Sequence, residues 1–201
     1  MASHLHKLAS QTAIYGISAI LSKFINYLLT PYLTRVMPMD AYGQVTLLYA
    51  IIPFANVILT MGLATGYFRY ASKCETIQDK KQLYTTTWSA VSFVSILCFL
   101  LFWGMQHSLG ELFALAPGCI VAMGGIIMLD NMNAIPLAAL REQRKAVYYT
   151  VVNVTNEIVN VVACILFYTY IPGASTNPFW VLLANLIASA VSLLLLLPNM
   201  V

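Results

Sequence analysis

The chain has 201 residues, of which 60% are hydrophobic and 8% charged, with a formal net charge of +3 and a mean hydropathy of +0.80. A soluble domain carries about 25% charged residues, so too little polar surface remains to cover a water-exposed globule, and lipid must be the solvent. The positive balance falls almost wholly in loops on one side of the apolar segments, so it reports topology rather than nucleic-acid binding.

From the N-terminus, Met1 to Thr12 shows no short apolar core followed by a small-residue cleavage site, so no cleavable signal is expected. Six apolar spans follow: about Leu8 to Arg35, Ala41 to Ser72, Tyr84 to Gln106, Phe113 to Leu140, Ala146 to Ile171 and Phe179 to Leu197. The first two exceed the roughly 20 residues a bilayer needs, so they should tilt, bend or project beyond it, and Pro53 is the expected kink. The third ends at an interfacial Trp103, and the fourth is interrupted by Gly124-Gly125 and Pro136. Met37-Pro38-Met39-Asp40 closes the first hairpin, and Pro172-Gly173 through Asn177-Pro178 the fifth turn. Cys74, Cys98, Cys119 and Cys164 lack metal or redox spacing and read as small apolar filler. Asn153-Val154-Thr155 matches a glycosylation sequon but lies inside a span.

Eight of the ten Lys and Arg residues share one side: Lys7, Arg69, Lys73, Lys80, Lys81, Arg141, Arg144 and Lys145. Basic segments resist translocation, so both termini are expected in the cytoplasm. These loops can also touch membrane lipids. The elbow Arg141-Glu142-Gln143-Arg144-Lys145 suffices as a topology determinant. The chain stops where a cytoplasmic loop should begin, so truncation is expected.

Lys23, Asp130 and Glu157 lie near the middle of their spans. A charge there costs about 2.5–3.5 kcal/mol on insertion scales and so faces protein or a watery cavity. Lys23, Asn26, Thr30 and Thr34 share one helical face, as do Asn153, Glu157 and Asn160 with Asn156 alongside. Asn131 and Asn133 flank Asp130, and span two adds Asn56 and Thr60. Such stripes suit a substrate-lined lumen; equally, Asn and Thr can bond helices together. Lys23 can pair with Asp130 or Glu157, leaving one carboxylate to carry a coupling ion. Gly62 and Gly66 have the spacing of close helix packing. No phosphate loop, zinc pair or Asp-rich metal motif is present in the sequence; no enzyme, cofactor or metal is expected.

Several short stretches carry a family resemblance. Leu21-Ser22-Lys23-Phe24, Leu28 through Arg35 and Asp40-Ala41-Tyr42-Gly43 resemble the opening helix and turn of the polysaccharide biosynthesis flippases, within the multidrug/oligosaccharidyl-lipid/polysaccharide exporters. Met61-Gly62-Leu63 and Phe68-Arg69-Tyr70 look like the end of that family's second helix, and Leu140 through Arg144 like its loop between helices four and five. The resemblance implies an all-α, integral membrane, six-helix N-terminal lobe of a two-lobe exporter, covering 1–201, with the C-terminal lobe absent. It implies a bacterial inner membrane location and flipping of a polyprenyl-pyrophosphate-linked oligosaccharide for surface polysaccharide or lipopolysaccharide. A glycan polymerase or glycosyltransferases are the implied protein partners.

Lys23 matches a basic position after Ser in related peptidoglycan-precursor flippases and is the expected phosphate contact. Asn26, Asn153, Asn156 and Asn160 are expected to line the cavity, with Asp130 and Glu157 available for ion coupling. The rivals are a cation-coupled multidrug exporter of the same superfamily and a non-transporting scaffold for glycan assembly.

Overall fold

The computed structural model describes Gly16, residues 20–25 and residues 27–199. The opening part of the first expected span therefore lies outside the described residues. The helical stretches 20–25 and 27–36 form α1. It is followed by α2 (Met39–Thr60), α3 (Leu63–Ala71), α4 (Ile77–Gly104), α5 (Gln106–Phe113), α6 (Pro117–Glu142), α7 (Ala146–Tyr170) and α8 (Phe179–Leu196). Short 3-10 turns cover Ala174–Thr176 and Leu197–Asn199. Among the described residues the fold is all-α, and α2, α4, α6, α7 and α8 are each long and apolar enough to cross a membrane. Helices suit lipid because they satisfy their own backbone groups, which water cannot reach there.

The second expected span is two helices. The chain turns left-handed at Met61 (φ 47°) and Gly62 (φ 69°), ending α2 and starting α3. Pro53, the expected kink, lies inside α2, which continues to Thr60, so the break falls elsewhere. Glycine favours the left-handed region because it has no Cβ, and here that local preference breaks the helix. The third span starts earlier than Tyr84. Thr76 caps α4 by accepting from the Asp79 amide (3.1 Å) and donating to its carboxylate (2.5 Å), which adds two turns before Tyr84. The fourth starts at Pro117, whose missing N–H costs nothing in a first turn, and continues unbroken through Gly124-Gly125 and Pro136.

Helix α6 is the centre of the bundle. Its most apolar stretch is 61% buried, against 17% for α2, α4 and α7. Its two central glycines explain this position: a Cβ on Gly124 would sit 2.9 Å from Cβ of Phe102 on α4, and one on Gly125 2.9 Å from Cδ1 of Leu186 on α8. Small residues let neighbouring helices approach closely where lipid supplies little drive for association. Leu48 and Ile52 of α2 pack on Ile120, Met123 and Ile127 of α6. Tyr67 and Ala71 of α3 and Val91 of α4 meet Ile135, Ala138 and Ala139. Leu29 and Leu33 of α1 join Ala41, Val45, Cys164, Val181 and Ala184 from α2, α7 and α8.

Gly62 and Gly66 do not form the expected packing seam: nothing among the described residues lies within 4 Å of where a Cβ would stand on either. The outer faces stay apolar, with Phe93, Leu97, Leu100 and Leu101 of α4 and Val151, Ile158, Val162 and Leu166 of α7 exposed, as hydrocarbon contact requires. The basic loops meet at one end of the bundle. There Lys80, at the start of α4, bonds Glu142, at the end of α6, at 2.7 Å.

Candidate functional site

Lys23 lines a cavity of about 680 Å³ between α1 and α2. From α1 the lining takes Lys23, Tyr27 and Thr30, spaced i, i+4, i+7; from α2 it takes Tyr42, Thr46, Tyr49 and Pro53, continuing the same rhythm. Helical periodicity places each set on one face, and the hairpin at Met37-Pro38 turns the two faces toward each other. Lys23 is exposed to this space and makes no ion pair with Asp130 or Glu157. The expected ion-pair alternative is thus absent, because Lys23 points into the groove while Asp130 points into the helix interfaces. The wall beside the lysine is amphipathic: tyrosine rings and threonine hydroxyls, with Leu29, Leu33 and Val45 beneath.

Asp130 sits in a polar seam of its own. One carboxylate oxygen accepts from the Ser189 hydroxyl of α8 at 2.6 Å, the other from the Asn56 amide of α2 at 3.3 Å. Asn131 donates to the Asn56 side-chain oxygen (3.3 Å) and to the Ile127 carbonyl (2.8 Å). Asn133 donates to the Ser189 carbonyl at 3.0 Å. These bonds cross three helices and satisfy the Asp130 carboxylate and the asparagine amides, which would otherwise be costly in a dry interior. The side-chain oxygens of Asn131 and Asn133 have no partner among the described residues. Asn56 lies one turn beyond Pro53, so the seam begins next to the groove.

The predicted residues therefore divide. Lys23 and Thr30 share the groove. Thr34 instead donates to the Pro31 carbonyl at 3.2 Å. Asn156 donates to the Ser192 hydroxyl at 2.8 Å, joining α7 to α8. Asn160 is buried, with its side-chain oxygen unpartnered. Asn153 and Glu157 are half-buried on α7, and Glu157 lies within electrostatic reach of Asp130. None of these α7 residues, nor Asp130, is in the groove lining. Asn26 lies outside the described residues.

Tyr42, Thr46 and Tyr49 do not stand out in the sequence. Their shared spacing on α2 is the available signal, hidden because tyrosine counts as apolar in a span. Tyr49 also connects groove and core, since its hydroxyl accepts from Asn185 of α8 at 3.1 Å.

A family model described as polysaccharide biosynthesis protein matches residues 8–199. No curated protein and no solved structure matches the chain.

Proposed function

The chain belongs to the polysaccharide biosynthesis protein family, and on that premise we propose that it is a transporter lobe that flips a polyprenyl-pyrophosphate-linked oligosaccharide across the bacterial inner membrane. The observation that carries this reading is the Lys23 groove, an amphipathic cavity between two helices with a lysine that no carboxylate among the described residues neutralises. A lysine facing a cavity walled by protein attracts a phosphate more strongly than it would in bulk water. Tyrosine faces and threonine hydroxyls beside it suit a sugar, which presents apolar C–H faces and a ring of hydroxyls. The lipid tail stays in the bilayer, so only the headgroup must enter.

Transport proceeds by alternating access: this lobe, with the basic end toward the cytoplasm, rocks against a second lobe about the headgroup. No covalent step is needed, and the chain works as a transporter rather than an enzyme. The polar seam behind the groove acts as a rigid wall, holding α2 to α6 and α8 while α1 and α2 present the binding face.

The test is glycan export by the full chain carrying Lys23→Ala at equal protein level. Export should fall about tenfold or more, as expected when a charged hydrogen bond to a phosphate is lost, and Lys23→Arg should retain most of it. Normal export by Lys23→Ala would overturn the assignment.

A second reading, ion-coupled export of a cationic compound, draws on Asp130 and Glu157, neither of which pairs with Lys23. The groove's own charge is positive, which favours the anionic substrate.

A further inference from the structure

A second cavity, of about 390 Å³, opens at the basic end of the bundle between α3 and the end of α6, lined by Ala64, Thr65, Phe68 and Arg141. It shares no residue with the Lys23 groove. Its chemistry is uneven: one guanidinium and one hydroxyl against an apolar wall.

Arg141 has an acidic neighbour in sequence, Glu142, but that carboxylate is already held by Lys80 at 2.7 Å. The arginine instead lies over the Tyr149 ring, 5.7 Å from its centroid. A ring braces one face of a guanidinium and leaves its edge donors available. Thr65 is also uncommitted. Thr46, Thr60, Thr85 and Thr150 each return a hydroxyl bond to their own helix, four residues back, whereas Thr65 makes no such bond among the described residues. Arg69, one turn beyond Thr65, adds an exposed positive charge on the same helix.

We infer that this cavity binds a lipid-borne phosphate at the membrane surface, with Arg141 and Thr65 donating to the phosphate and Ala64 and Phe68 against the adjoining hydrocarbon. A planar guanidinium is suited to two phosphate oxygens at once. Beyond the arginine and the threonine the lining offers only apolar contact, which suits an amphipathic ligand better than a long polar one. Two lipids bring this chemistry to the leaflet: an ordinary anionic phospholipid and a polyprenyl pyrophosphate.

Native mass spectrometry of the purified full chain in neutral detergent tests the site. Phosphatidylglycerol, phosphatidylcholine, polyprenyl pyrophosphate and inorganic phosphate are added separately. One phosphatidylglycerol or one polyprenyl pyrophosphate should be retained over phosphatidylcholine, and the better-retained lipid identifies the source. Inorganic phosphate, lacking hydrocarbon, should not be retained. Arg141→Gln should lower the adduct about tenfold, and Thr65→Val, which leaves the elbow intact, about threefold. Arg141→Lys should restore part of the binding. Arg144→Gln, on the exposed elbow, should leave it unchanged. Thermal unfolding followed in parallel shows whether Arg141→Gln has loosened the fold, in which case Thr65→Val and Arg141→Lys decide. Equal retention of phosphatidylcholine and phosphatidylglycerol, or equal losses from the Arg144 variant and the Thr65 and Arg141 variants, would overturn the site.

Discussion

The Ser189 hydroxyl of α8 donates to the Asp130 carboxylate of α6 at 2.6 Å, and Asn56 of α2 donates to its other oxygen at 3.3 Å. One side chain thereby joins three helices. Asp130→Ala leaves both donors without their acceptor, whereas Asp130→Asn keeps a side-chain oxygen. Both variants remove the charge, so its burial cost cancels between them. Asp130→Ala should be less stable than Asp130→Asn by about 1–3 kcal/mol, the cost of an unsatisfied buried group, seen as the lower unfolding temperature in detergent. Export at the wild-type rate by Asp130→Asn would take Asp130 out of the ion-coupled reading, and wild-type export by the Asp130→Asn, Glu157→Gln double variant would remove that reading; a folded but inactive Asp130→Asn would support it.

Gly124 and Gly125 differ in what stands over them. A Cβ at Gly124 meets Phe102 at its Cβ, and one at Gly125 meets the tip of Leu186, both at 2.9 Å. Phe102 Cβ can retreat only if α4 moves, while Leu186 can change rotamer. Gly124→Ala should cost about 1–3 kcal/mol, the range for overpacking, and Gly125→Ala should cost less. Equal unfolding temperatures for the two variants would mean that α4 is free to shift outward.

At the α2–α3 break, Gly62 has φ 69° and open space where a Cβ would stand, and Gly66 has equally open space within helix α3. Gly62→Ala should therefore lose about 1–2 kcal/mol from backbone strain alone. Gly66→Ala should gain up to about 1 kcal/mol from helix propensity. A loss at Gly66 equal to that at Gly62 would point to close packing on this face in the membrane.

These contrasts mark where sequence reading succeeds in this chain. Hydropathy located five of the six expected spans among the described residues because lipid forces long apolar helices, and the charge asymmetry anticipated the Lys80–Glu142 meeting at one end. The helix break was harder to see. Pro53 stands out as a kink within the span, whereas the left-handed Met61-Gly62 pair, which ends the helix, carries no such mark in the sequence. Gly124-Gly125 read as an interruption because sequence shows the missing side chains and not the neighbours that occupy their space. The freedom of Lys23 from both carboxylates was equally hidden. Depth along a span follows from counting residues, but the direction a helix face points depends on its neighbours.

Charge and space in the Lys23 groove can be separated at Ala50, which lines the cavity and is exposed. Ala50→Trp adds a large side chain to the groove without changing Lys23, the polar seam or a buried contact. Surface substitutions of this kind usually stay within about 0.5 kcal/mol in stability, so the unfolding temperature should barely change. Glycan export should nevertheless fall at least as far as in Lys23→Ala, because a filled groove excludes the headgroup whatever its charge. Combining the two should add little, since each removes the same binding event. Full export by a stable Ala50→Trp protein would mean that the headgroup crosses elsewhere, and a strictly additive double variant would mean that lysine and groove serve different steps.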